Sequence, residues 1–252
     1  MRNNWRKSLK TKTPSGPRQR KEQLRLKQSR YPGANSVDDF LNVTLMDWIN
    51  YHQRNIIGFQ CRWMGHRALK NPLDAWIYQE IISEIKPDII LEIGNKSGGS
   101  TLFLAGLCQG LHHGKVLALD INRDRMTAKH KLITKITGDA GDPRIIREIH
   151  RRCHGKLTLI IHDADHSKEA VLRDLRNYSD LVPYPSYFIV EDTIQGLPHF
   201  LDQKHANEDS PLGAIDEFLN ENRRFRIDKT RERYLLTANF NGYLKCVTRE
   251  KY

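Results

Sequence analysis

The 252 residues carry 41 lysines and arginines against 30 acids, a formal net charge of +11. Eleven of those basic residues, with Glu22 as the single acid, fall within residues 1–30, so the remainder is close to neutral and the basic balance does not describe a nucleic-acid-binding domain. No apolar run is long enough to cross a bilayer and no secretory h-region is present; Cys61, Cys108, Cys153 and Cys246 are widely spaced, without a C-x-x-C. That pattern disfavours a membrane span, a disulfide frame and a zinc site, and fits reduced thiols in a cytoplasmic protein.

Residues 1–30 hold few apolar side chains, and Pro14, Gly16 and Pro17 interrupt any helix. The stretch reads as a disordered basic arm, with an organelle transit peptide or a polyanion-holding arm as alternatives. Residues 31–86 read as a helical cover segment. Asp38 to His52 puts Phe40, Leu41, Leu45, Trp48 and Ile49 at helical spacing, and Pro72 to Ile85 does the same with Trp76, Ile77, Ile81, Ile82 and Ile85. Between them FQCRWMGHRALKNP has no clear period; it reads as core packing around Trp63 or as a loop over a cleft.

From residue 87 to 252 the chain reads as one α/β domain. Apolar strands are predicted at Ile89–Ile93, Val116–Leu119, Leu132–Ile136, Leu157–Ile161 and Tyr187–Val190. Helices follow from Ser100, from Asp142-Pro143, where aspartate caps and proline opens the first turn, and from Ser167 to Tyr178. Strands separated by helix-length segments imply a parallel sheet with right-handed crossovers.

The first strand breaks into DIILEIGNKSGGS, a strand, a glycine turn and a helix start. Such a turn brings backbone close to a ligand and faces it with free N–H groups. The spacing matches neither G-x-G-x-x-G of dinucleotide sites nor G-x-x-x-x-G-K-[ST] of P-loops. The pattern E-x-G-x-x-x-G-G-S instead looks like the first motif of S-adenosylmethionine (AdoMet) methyltransferases, with an ordinary structural turn as the alternative.

Gly94, Asp120, Asp139, Asp163, Glu191 and Asp192 all stand where an apolar strand gives out, and in a parallel sheet that is the ligand-binding rim. With AdoMet as ligand, Asp120 is placed to accept both ribose hydroxyls and Asp139 the adenine amino group. Glu92, Gly94, Gly98 and Ser100 lie at the methionine end. Asp163 borders both groups. Asp163, Glu191 and Asp192 repel one another unless a cation sits among them, and oxygen ligands suit Mg²⁺ or another hard divalent ion. His166, three residues beyond Asp163, is the candidate base. Almost all the strand-end positions are acids, which disfavours a two-histidine iron oxygenase.

From Trp63 to Val247 the chain resembles the cephalosporin hydroxylase/rhamnosyl O-methyltransferase family. The stretches that carry the resemblance are WMGHRALKNPLDAWIYQEII, KPDIILEIGNKSGGSTLFLA, IIHDADHS, SYFIVEDTI and AIDEFLNENRRFRIDKTRERYLLTANFNGYLK. The resemblance implies a Rossmann-like class I methyltransferase fold, a mostly parallel seven-stranded sheet with helices on both faces. It also implies AdoMet as methyl donor and a divalent metal on Asp163, Glu191 and Asp192, and is consistent with a small-molecule hydroxyl acceptor, glycoside or polyketide-like; a homo-oligomer is expected besides. Asn95-Lys96 and Ser210-Pro211-Leu212-Gly213 depart from the family pattern. The alternative function is a non-catalytic or nucleic-acid-directed protein of the same fold that uses the arm. If the arm contributes nothing to the core, deleting residues 1–30 leaves the melting temperature unchanged and weakens retention on a polyanion column; a deletion that unfolds the domain refutes this reading.

Overall fold

A computed structural model of the chain describes residues 42–249. The basic arm and the predicted helix start at Asp38 lie outside the described residues.

Thr44 and Asp47 form a reciprocal capping box, and helix α1 begins only there, at Leu45–Tyr51. It widens into a π turn over His52–Ile57. The aperiodic stretch that follows is a short hairpin, β1 (Arg62–Trp63) against β2 (His66–Arg67). Trp63 packs edge-on to Phe103, with ring centroids 5.1 Å apart. Helix α2 (Pro72–Ile85) opens on proline, with the Asn71 side chain accepting from the Leu73 N–H. Its predicted inner face is corrected at one position. Trp76 is 58% exposed, whereas Asp74 and Tyr78 are buried beside Ile77, Ile81 and Ile82.

Along the chain come β3 (Ile89–Ile93), α3 (Gly99–Gly110), β4 (Lys115–Asp120), β5 (Ile133–Thr137), α4 (Pro143–Cys153) and β6 (Thr158–His162). After these come α5 (Lys168–Tyr178), β7 (Tyr187–Val190), α6 (Pro211–Glu221), β8 (Phe225–Ile227) and β9 (Tyr243–Cys246). Seven strands form one sheet in the order β5-β4-β3-β6-β7-β9-β8. The first five pair in parallel, and β9 runs antiparallel between β7 and β8. This is the Rossmann-like arrangement of class I methyltransferases. The two C-terminal strands carry no apolar run distinct enough to be read from sequence.

The pleat sends alternate residues to opposite faces. Ile89, Leu91 and Ile93 join one core with Ile149, Val171, Leu175 and Phe218 of α4, α5 and α6. Ile90, Leu159, Ile161 and Ile189 join the other with Ile77 and Ile81 of α2 and Leu104 of α3. Among the described residues no helix is long and apolar enough to cross a membrane.

At the carboxyl edge the ladder continues one residue past each strand. The Gly94 N–H donates to Leu119 (2.8 Å), Asp163 to Ile93 (2.8 Å) and Glu191 to His162 (2.9 Å), which sets Gly94, Asp163 and Glu191 in a row. Gly94 has a φ of +88°, and a Cβ there would lie 2.0 Å from the Asp163 carbonyl oxygen. Both facts demand glycine. Gly94→Ala should therefore lower the unfolding free energy by at least about 2 kcal/mol, measured by urea denaturation; an unchanged midpoint would mean that the two strand ends are not held this closely.

Candidate active site

The rim opens onto a cavity of about 680 Å³. Of the residues singled out from sequence, Gly94, Ser100, Asp120, Asp139, Asp163, His166 and Asp192 line it; Glu92, Gly98 and Glu191 lie behind its wall. The N-terminal cover contributes Gln53, Ile57 and Arg67, so the π turn and the β1–β2 hairpin roof the glycine turn.

The turn is held from two sides. Asp120 Oδ2 accepts from the N–H groups of Asn95 (2.7 Å) and Lys96 (2.8 Å), and Oδ1 from Asn122 (3.0 Å). Burial alone would raise the Asp120 pKa, but these three backbone donors and Arg123 outweigh it and keep the carboxylate ionised. Behind the turn Glu92 is fully buried. Its Oε2 accepts from Asn95 Nδ2 (2.7 Å) and from the Thr101 hydroxyl. Asn95 in turn accepts from Arg123 Nη1 (2.8 Å). The family departure at Asn95 thus has a structural task, bridging Glu92 to Arg123. Burial pushes the Glu92 pKa up, against the charge of Lys70 and the hydroxyls of Ser100 and Thr101. Asp139 is exposed; it accepts from the Gly141 N–H (2.8 Å) and lies 3.4 Å from Arg173.

The second group gathers at the ends of β6 and β7. Asp163, His166 and Asp192 present ligand atoms all within 4.8 Å of one another. His166 Nε2 is 3.4 Å from Asp163 Oδ1 and 3.5 Å from Asp192 Oδ2, and Nδ1 is 3.0 Å from Gln195 Nε2. Burial alone would lower the His166 pKa, but the Asp163 hydrogen bond and the charges of Asp192 and Asp163 raise it to about 9. Glu191 lies one layer deeper, with its pKa pushed up to about 8 by burial, which the Lys70 charge only partly offsets. Its Oε1 is buried with no hydrogen-bond partner among the described residues. Two carboxylates this close are the donor chemistry of a hard divalent cation, and Asp163 and Asp192 fit one; Glu191, expected with them, is held by Lys70, and His166 stands in the gathered group in its place.

Sequence reasoning missed three residues of this site. Lys70, from the aperiodic stretch before α2, is buried with its Nζ 2.6 Å from Asp163 Oδ2 and 2.5 Å from Glu191 Oε2. Burial would depress its pKa, but Asp163, Glu191 and Glu92 more than restore it, so the ammonium keeps its charge. Asn239 accepts from the Asp192 N–H (3.3 Å) and donates to Tyr78 (2.7 Å). Asp74 accepts from Thr237 Oγ1 (2.5 Å), the Ala238 N–H (2.8 Å) and the Tyr243 hydroxyl (2.8 Å), and so fastens the segment that carries Asn239 to α2. The RERYLLT stretch belongs to the same fastening: Arg231 pairs with Glu84 of α2 and donates to the Tyr187 hydroxyl (3.2 Å).

Comparison with known proteins identifies the family. The Rhamnosyl O-methyltransferase/CmcI family model matches residues 56–247. A rhamnosyl O-methyltransferase of Mycobacterium leprae is 32% identical over 161 residues, covering 60% of this chain and 69% of the relative. The Mycobacterium tuberculosis protein of the same name is 28% identical over 207 residues, 79% of this chain and 83% of that one. Among solved structures, CmcI with Mg and SAM superposes with a TM-score of 0.59 at 20% identity, over 84% of this chain and 85% of CmcI. An apo form of CmcI gives 0.57 at 21% identity, over 74% and 76%. The cavity between glycine turn and acid cluster is thus carried on a shared fold, and the chain belongs to the Rhamnosyl O-methyltransferase/CmcI family of O-methyltransferases.

Proposed function

We propose that this chain moves the methyl group of AdoMet to a hydroxyl of a sugar or a sugar-bearing secondary metabolite, with a divalent cation, Mg²⁺, at Asp163, Glu191 and Asp192. The observation that carries the reading is the single cavity that joins the glycine turn and Asp120 at one end to Asp163, His166 and Asp192 at the other. The names of the curated relatives and the Mg and SAM of the CmcI structure support the same choice.

AdoMet supplies a methyl group already activated on a sulfonium, and Mg²⁺ supplies the charge that acidifies and fixes an acceptor hydroxyl. The chain's own residues do the rest. Asp120, kept ionised, has one acceptor site left, for one ribose hydroxyl rather than both, since backbone donors take three of about four. Asp139, with Oδ1 on Gly141, is exposed toward the adenine end. The Gly94 turn and Ser100 take the methionine end, and Glu92 and Gly98 keep that turn in shape. His166 is the proton-transfer group at the acceptor end. It holds its own proton up to about pH 9 while Asp163 and Asp192 lean on it, so it becomes a base only when their charge is engaged elsewhere.

Calorimetry with AdoMet or S-adenosylhomocysteine tests the donor. Asp120→Ala deletes the ribose acceptor and the anchor of the turn, and should weaken binding roughly a hundredfold, about 3 kcal/mol; absence of heat with the wild type at millimolar ligand rejects AdoMet. Turnover on a rhamnosyl or related glycoside should stop in EDTA and return with Mg²⁺, and Glu191→Ala should behave like the chelated enzyme. Full activity in EDTA would reject the metal.

A further inference from the structure

Lys70 is placed where no local rule requires a cation. It arrives from the irregular stretch between β2 and α2, is 6% exposed, and touches two acids that follow it by 93 and 121 residues. A buried ammonium is costly unless paired, and so are three converging carboxylates. Asp163, Glu191 and Asp192 outnumber Lys70 and His166, the cations that touch them, so the cluster keeps an unmatched negative charge for a further cation. Lys70 also takes only one oxygen from each partner. Asp163 Oδ1 is left toward His166, and Glu191 Oε1 has no partner among the described residues.

We propose that Lys70 is a positioning residue, a built-in counter-cation that holds Asp163 and Glu191 at the sheet edge so that the free oxygen of Asp163, with Asp192, is set for a divalent ion before one arrives. The inference rests on the metal reading above and deepens it: the lysine and the ion divide the neutralisation of one acid cluster. Glu92, fully buried on the same face and within the field of Lys70, adds to the demand for that charge.

Thermal unfolding of Lys70→Met tests it, in EDTA and in Mg²⁺ at one fixed pH. In EDTA the variant should melt about 10 °C below the wild type. Mg²⁺ should raise its melting temperature by more than it raises that of the wild type, because the ion then has more charge to neutralise. In EDTA, Lys70→Met/Glu191→Gln should recover most of the loss. Equal losses with and without Mg²⁺, or no recovery in the double variant, would overturn the proposal and leave Lys70 a packing element. Should the single variant fail to fold, a folded double variant supports the proposal and an unfolded one overturns it. A wild type whose melting ignores Mg²⁺ would overturn the metal reading, while the EDTA comparison still decides the role of Lys70.

Discussion

The site depends on bringing several carboxylates to one face of a buried sheet edge without driving the edge apart. Strand alternation places them there. Glu92 pairs in register with Ile161, and Ile161 with Ile189, so Asp163 and Glu191, each two residues further on, share the face of Glu92. That face belongs to α2 and α3, and Lys70, just before α2, reaches down onto it. One charge inserted between Asp163 and Glu191 lets two strand ends stay side by side, and the rim geometry follows from that contact.

The residue just before Asp163 goes the other way. His162 points to the opposite face and pairs with Asp174 of α5 at 3.0 Å, both buried. Adjacent residues His162 and Asp163 therefore serve different layers, one the helix packing and one the cavity. Parity also separates Glu191, drawn inward to Lys70, from Asp192, which adopts a φ of +56° and turns out toward His166. A single backbone reversal thus gives the acid pair a deep member and a half-buried member that faces the cavity.

Support for the cavity-facing member comes from far away in the chain. Asp192 is tied through its N–H to Asn239, Asn239 to Tyr78, and the segment around Asn239 to Asp74. Burial raises the Asp74 pKa to about 6, even with four donors lowering it, as the enclosure of this fastening requires. The polar cluster makes α2 both a cover for the sheet and the anchor for the C-terminal loop. It also explains why Asp74 rather than Trp76 faces inward: the hydrogen bonds of three backbone and side-chain donors outweigh the burial of one aromatic ring on a helix already carrying four apolar or aromatic inward residues.

Local patterning determined a good deal. Apolar runs marked the five parallel strands, Asp142-Pro143 and Ser167 marked helix starts, and the acids and glycines at strand ends marked the rim, because strand length, capping and turn chemistry are set by neighbours a few residues apart. The seven-stranded sheet itself was implied by family resemblance, not by the periodicity of β8 and β9. What only the tertiary structure decided were the contacts across long separations: Lys70 on Asp163 and Glu191, Asn239 on Asp192, and Asp74 on Thr237 and Tyr243. No local period encodes them, since each depends on strand order and on which helix covers which face, and a buried polar side chain declares its partner only when the fold has removed every alternative from its reach.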